Sequence, residues 1–449
     1  MFPKNFLWGS STNAQQVEGG YKEGNKGLSI ADVRDIKMDT LTDSNFDKFK
    51  IASDHYHHLS EDISYFGEMG LKIYRFTIAW TRIFPNGDDP LPNKAGLDFY
   101  DRMLTELEFY NIIPVVTLYA YDLPLALLEK YNGWMDRRCI DAYLNYVKTV
   151  VTYFKGRIKY YIPFNEQNFI FMDSEYMTGY KAQNNRDVFR LEHHFNLAYA
   201  QATVLIHQCD PSARTGGNIG NSCFYPKTCN PKDVQAADDI YYRSALNLGD
   251  VYFRGVYTKR YLNTYHDVDI AEIIHDGDLD IISRSEPDFL STTYYMSTAI
   301  SNDDNSTFDN INVIKTPNPY TPQTDWGWNI DPYGFKHTLE DLYHRYQLPI
   351  IVMENGLGAY DIPNDSGEIN DTYRINYLKD HITALENAIE DGVKIEAYMT
   401  WSAIDLYSTR EGLTKRYGFV YVDEDTLARR KKKSFYWYKN VIESNGSIL

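Results

Sequence analysis

What most constrains this chain is a rhythm. Eight short runs rich in apolar or β-branched residues, at 6–12, 73–79, 113–119, 160–165, 214–220, 288–295, 350–355 and 396–402, alternate with longer stretches of helical periodicity. Strands that alternate with helices build βα units and a parallel sheet. Within the helical stretches, Cys139, Ile140, Tyr143, Leu144, Val147, Val150, Val151 and Phe154 recur at the spacing of one apolar stripe, as do Leu97, Tyr100, Leu104 and Leu107. No Gly/Ser-rich or Pro-rich linker and no charge block separates the units, so residues 1–449 read as one continuous domain. Eight βα units in one domain predict an α/β fold of the (β/α)8 TIM-barrel type. The rival, an open doubly wound sheet with a dinucleotide site, lacks the GxGxxG turn after its first strand. Segments near 24–50, 221–285 and 301–330 exceed ordinary βα loops and are expected to be insertions.

Composition then removes several functions. With 43% hydrophobic and 24% charged residues the chain can bury a large core, which excludes a disordered chain. Its net charge of −17 repels the phosphate backbone, so no nucleic-acid partner is expected. Four cysteines, Cys139, Cys209, Cys223 and Cys229, are too few and too unevenly placed for a disulfide framework or a metal knuckle. The start, Met1-Phe2-Pro3-Lys4-Asn5-Phe6, lacks a basic head and an apolar stretch, and the most apolar region is cut by Pro114, Asp122 and Pro124. Neither a signal peptide nor a membrane span is expected, and a cytoplasmic location fits. The histidines at 55, 57, 58, 193 and 194 have no ligand spacing and read as structural, so no metal is expected. The run Arg429-Arg430-Lys431-Lys432-Lys433 reads as a solvated face. Gly216-Gly217-Asn218-Ile219-Gly220 lacks a phosphate-loop ending and reads as close packing at the fifth strand.

In such a barrel the chemistry sits at the C-terminal ends of the strands. There the sequence places Gln16 and Glu18 after the first strand, Arg75 in the second, Asn165-Glu166 after the fourth and Glu354-Asn355 at the seventh. Glu166 and Glu354 lie far apart along the chain and face each other only if the sheet closes. Paired carboxylates among aromatic side chains are the equipment for breaking a glycosidic bond: one protonates the departing oxygen and the other attacks, or activates water, from the opposite face. The 39 tyrosines suit sugar faces, although aromatics also fill cores.

These residues sit inside denser motifs. Phe6-Leu7-Trp8-Gly9 with Gln16-Val17-Glu18-Gly19, Tyr74-Arg75-Phe76 with Trp80-Thr81-Arg82-Ile83-Phe84-Pro85, Phe164-Asn165-Glu166, Trp326-Gly327-Trp328, Glu354-Asn355-Gly356 and Tyr417-Gly418-Phe419 together resemble the family-one glycoside hydrolases of the β-glucosidase type. The resemblance implies that Glu166 is the acid/base and Glu354 the nucleophile of a retaining mechanism, with carboxyl groups about 5–5.5 Å apart. At that distance the negative Glu354 is expected to raise the pKa of Glu166. It further implies that Arg75 keeps Glu354 ionised, that Tyr295 donates to it, that Asn165 holds the sugar 2-hydroxyl, and that Gln16 and Trp401 bind the sugar. No cofactor and no metal is implied.

The resemblance also bears on the substrate. Where ordinary β-glucosidases of the family carry a Glu for the sugar's 4- and 6-hydroxyls, this chain has Ser408, followed by Lys415 and Tyr417. That trio is similar to the phosphate-binding loop of the 6-phospho-β-glycosidase branch, and a hydroxyl, an ammonium and a phenol are apt donors to one phosphate. Thr293-Tyr294-Tyr295-Met296 is similar to the same branch. Thr409, in place of the Trp found in phosphogalactosidases, favours a gluco-configured substrate. The expected partner is therefore a small phosphorylated β-glucoside; a 6-phospho-β-galactoside, an unphosphorylated β-glucoside, and a sugar-phosphate binding protein with impaired turnover remain alternatives. The last is motivated by Ala120-Tyr121, which stand where most members have His-Trp; a lost hydrogen bond to a charged group is worth about 1.5–3 kcal/mol. Gln167, where Pro is common, looks minor. The aglycone and the oligomeric state stay open.

Overall fold

In the computed structural model, residues 1–34, 47–302, 317–409 and 411–449 are described. Each of the eight runs forms a strand: β1 (Leu7–Ser11), β2 (Ile73–Thr77), β3 (Ile113–Thr117), β4 (Tyr160–Ile162), β5 (Arg214–Pro226), β6 (Phe289–Ile300), β7 (Ile350–Asn355) and β8 (Ile395–Trp401). They pair in sequence order and in parallel, and β8 returns to β1 with Leu7 opposite Ala397 and Ser11 opposite Trp401, which closes the barrel. The two apolar stripes become the helices Lys94–Phe109 and Arg138–Tyr153; their striped residues are buried in the core, except that Leu144 is half-buried and Phe154 follows the second helix.

Inside the barrel, Ile73, Val115, Ile162, Phe289, Met353 and Met399 belong to one buried apolar cluster. Above it the filling turns polar. Side chains on a strand alternate faces, so the residues that follow an inward Phe289 at steps of two are Ser291, Thr293 and Tyr295. One strand thus delivers three hydroxyls to the open end.

The insertion expected at 221–285 is only partly loop. β5 and β6 outrun the barrel and stay paired as far as Pro226 opposite Ile300, and helices Pro231–Tyr241, Asn247–Arg254, Lys259–Thr264 and Asp278–Ser283 follow β5. The insertions expected at 24–50 and 301–330 fall in part, at 35–46 and 303–316, outside the described residues. The glycines of β5 do pack closely: a Cβ on Gly216 would lie 2.4 Å from the Phe289 ring, and one on Gly217 2.4 Å from Tyr252.

One expectation needs correction. The basic run at 429–433 is not simply a solvated face, because the short antiparallel pair β9 (Val420–Val422) and β10 (Arg429–Lys431) folds it against the barrel. Arg429 and Lys432 are buried. Arg429 Nε donates to Asp62 Oδ1 at 2.9 Å, and Lys432 Nζ donates to Asp361 at 2.5 Å and Asp405 at 2.6 Å. A buried cation requires such partners. Three of the histidines are buried and bonded: His55 to Asp62, His193 to Asp278 and Tyr257, and His194 to the Trp134 carbonyl. All four cysteines are free thiols. Among the described residues no helix is long and apolar enough to cross a membrane.

Candidate active site

Arg75 on β2 organises the floor of the site. It is fully buried, and its guanidinium donates through Nε to Thr117 Oγ1 of β3 (2.7 Å), through Nη2 to Asn165 Oδ1 (2.6 Å) and through Nη1 to Glu354 Oε1. Asn218 of β5 donates to the same Asn165 oxygen at 2.7 Å, and Ser291 of β6 donates to Asn218 Oδ1 at 3.1 Å. Tyr295 donates to the other oxygen of Glu354 at 2.6 Å.

Glu166 follows β4 in a left-handed conformation, φ 45°, which is costly for a residue with a Cβ and is a feature of functional sites. Its Oε1 accepts from Thr293 at 2.5 Å, and its Oε2 accepts from the Tyr121 phenol at 2.7 Å and from Asn165 Nδ2 at 3.4 Å. Gly220 makes room for it: a Cβ there would sit 3.0 Å from Glu166 Oε1 and 2.3 Å from the Phe169 ring.

The charge of Glu166 is felt at Glu354. In the structure burial is the main cause that lifts Glu354, helped by the neighbouring Glu166 charge, and it reaches about 7 although Arg75 and Tyr295 favour its ionised form. Two interacting carboxyls titrate as a pair.

An open-mouthed cleft of about 1020 Å³ contains this centre. Of the residues expected at the site, Gln16, Asn165, Glu166, Tyr295, Glu354, Trp401, Ser408 and Tyr417 line this cleft. Arg75 and Lys415 do not. Arg75 lies beneath the floor, and Lys415, only 2% exposed, packs its ammonium 3.6 Å from the ring centroid of Trp328, which does line the cleft. Lys415 is therefore not a solvated surface lysine. Ser408 is already engaged, donating to the Glu411 carboxylate at 2.7 Å. Gln16 is fixed by its amide, which donates to the Tyr407 carbonyl at 2.9 Å. Glu18, noted beside it in sequence, is consumed elsewhere by Arg82 (2.6 Å) and Tyr100 (2.7 Å).

Several site residues escaped the sequence reading. Thr293 was legible in principle, since it lies two residues before Tyr295 on one strand. Tyr121 was flagged only as a departure, yet its hydroxyl reaches Glu166. Glu411 comes from a loop, and the apolar wall of Phe169, Met172, Tyr176 and Met177 from two short helical segments and their junction after β4, too short for periodicity to mark.

A closed eight-stranded parallel barrel with two facing carboxyls at the C-terminal strand ends is the architecture of a sugar-cleaving enzyme. The chain belongs to Glycosyl hydrolase family 1, whose profile it matches over residues 1–447. A 6-phospho-beta-glucosidase of Clostridium longisporum is 43% identical, with all of this chain and 98% of the relative covered. A phospho-cellobiase of Klebsiella oxytoca is 40% identical over all of this chain and 99% of its own length. Among solved structures, a family 1 b-glucosidase from Thermotoga maritima superposes with a TM-score of 0.90 at 31% identity, covering 99% of this chain and 98% of its own.

Proposed function

We propose that the protein hydrolyses 6-phospho-β-D-glucosides with retention, releasing glucose 6-phosphate and an aglycone. The observation that carries this reading is the lining of a single cleft by Glu166, Glu354, Ser408 and Tyr417: two carboxyls for the anomeric carbon and two donors for a phosphate. The names of the relatives from Clostridium longisporum and Klebsiella oxytoca support the phosphorylated glycone.

In the first step a Glu354 carboxylate oxygen bonds to the anomeric carbon while Glu166 gives its proton to the glycosidic oxygen, and the aglycone leaves as a neutral alcohol. Arg75 and Tyr295 hold Glu354 in place and favour its charged form. Esterified Glu354 carries no charge, which leaves Glu166 as a carboxylate able to take a proton from water. The water oxygen bonds to the anomeric carbon, the ester bond breaks, and Glu354 returns as a carboxylate. The sugar leaves with its original configuration.

At the far end of the glycone, Ser408, Tyr417 and Lys415 supply donors to the phosphate. Lys415 packs on Trp328, which lines the cleft, so a phosphate bound there would draw the ammonium off that ring. Thr409 lines the cleft beside them, and its small side chain suits the gluco configuration. A phosphorylated sugar does not cross a membrane unaided, which favours a cytoplasmic location for this reaction.

The test is a pair of nitrophenyl β-glucosides with and without the 6-phosphate. The phosphorylated substrate should have the higher kcat/KM, and Lys415→Ala should raise its KM about tenfold or more, the scale of one hydrogen bond from a charged group. A preference for the unphosphorylated sugar overturns the phosphate reading.

A further inference from the structure

Asn165 decides how the hydrogens around Glu166 point. Its Oδ1 receives Arg75 Nη2 at 2.6 Å and Asn218 Nδ2 at 2.7 Å. A guanidinium only donates, so this atom must be the amide oxygen and the other the NH2 group. That NH2 group then donates to the Tyr121 phenol oxygen at 2.9 Å. With its oxygen accepting there, the phenol has one proton left, and its partner is Glu166 Oε2 at 2.7 Å. The orientation of the phenol is therefore fixed by a chain that begins at Arg75.

Tyr121 is held in this pose by strained but well-anchored backbone. Its φ is 64°, its carbonyl accepts from Arg34 Nη2 at 3.0 Å, and the carbonyl before it accepts from Gln15 at 2.9 Å. The side chain is buried beside Tyr176, with ring centroids 5.2 Å apart.

We propose that Tyr121 is a positioning residue that acts through Glu166: its phenol fixes the rotamer of the carboxyl and favours the ionised form, restraining the acid role and favouring the base role. The inference rests on the assignment of Glu166 as the acid/base. Three donors converge on this carboxyl, and every one stabilises the anion. The other titratable groups around it are Glu354 on β7 and Tyr295 on β6, while Tyr176 faces Tyr121 and Arg75 acts through Asn165. Burial and the Glu166 charge push the Tyr121 phenol well above its ordinary range, so it stays a neutral donor.

The experiment is the pH dependence of kcat/KM for Tyr121→Phe on phenyl and dinitrophenyl β-glucoside 6-phosphates. Loss of a donor to the anion raises the pKa of Glu166, so with phenyl, which needs protonation to leave, the alkaline limb should move up by about one pH unit. With dinitrophenyl the limb should move little. Replacing Tyr121 by difluorotyrosine, a stronger donor of nearly the same shape, should move the phenyl limb down. An alkaline limb unmoved in both variants, or shifted the opposite way, overturns the proposal. Failure of the underlying assignment is distinguishable, because Glu166→Ala would then slow both substrates equally instead of sparing dinitrophenyl.

Discussion

Replacing Tyr295 by Phe isolates one of the two groups that hold Glu354. The phenol donates to Glu354 Oε2 at 2.6 Å, while Arg75 continues to hold Oε1. A hydrogen bond to a charged group contributes about 1.5–3 kcal/mol net, and one pKa unit is about 1.36 kcal/mol. With Arg75 in place, a rise of about one unit is expected, from about 7 toward 8. The sign follows from the donor: it stabilises only the ionised carboxyl, so its loss moves the acid limb of kcat/KM to higher pH. At pH 6 a group of pKa about 7 is roughly one-tenth ionised and one of pKa about 8 roughly one-hundredth, so the variant should be about tenfold slower there. At pH 9 both are mostly ionised, and the loss should be less than about twofold on the same reasoning. A dinitrophenyl β-glucoside 6-phosphate is the right substrate, because a leaving group that needs no proton removes the Glu166 limb from the profile. An equal loss at pH 6 and pH 9 would refute the argument, since it would place Tyr295's contribution outside the ionisation of Glu354.

Two further outcomes follow from contacts that the sequence did not disclose. Glu411 holds the hydroxyl of Ser408 and presents a negative charge where the phosphate is proposed to sit, so Glu411→Gln should lower KM for the phosphorylated substrate about fivefold, a screened repulsion of ~1 kcal/mol. KM for the unphosphorylated sugar should stay as it is, and a change common to both substrates would count against this placement. Lys432→Ala leaves Asp361 and Asp405 buried without their shared cation and should cost about 3–5 kcal/mol of stability in denaturant titration. A loss below about 1 kcal/mol would mean that water or Arg374 takes over the pairing.

How much of this was legible depends on whether a residue's role is set by strand periodicity or by what a loop happens to meet. The eight strands stood out because each is a short apolar run between helical stripes, and the barrel then fixed which ends carry chemistry. Arg75, Asn165, Glu166 and Glu354 sit at those ends, so position and residue type together marked them. Lys415 shows the limit: the sequence names a lysine near the glycone, but not that Trp328, from a different loop, covers it. Nor does a sequence say that burial lifts Glu354, or that Thr293 from β6 and Tyr121 from the loop after β3 both meet Glu166. The run at 429–433 failed for the same reason. Five consecutive cations look solvated until a hairpin turns two of them inward onto Asp62, Asp361 and Asp405.

Those inward charges explain how a loop can hold the proposed phosphate site to the accuracy a strand would give. Arg374 donates to the carbonyls of Leu357, Arg416 (3.2 Å) and Tyr417 (3.1 Å) and pairs with Asp361 and Asp371. Asp405, at the start of the loop, accepts from Gly418 N at 2.9 Å and pairs with Arg416 at 3.1 Å, which ties the loop's two ends together. Burial alone would raise Asp405, but Lys432 and Arg416 hold it below its ordinary range, so it stays charged and keeps its partners. The backbone at Tyr417 is thus fixed from behind by ions, while Ser408 and Lys415 are held by contacts, to Glu411 and to Trp328, that a phosphate can replace. A rigid frame with exchangeable side-chain partners lets the pocket meet a doubly negative group without first ordering the loop, and the cost of that order is met in the folding of the chain.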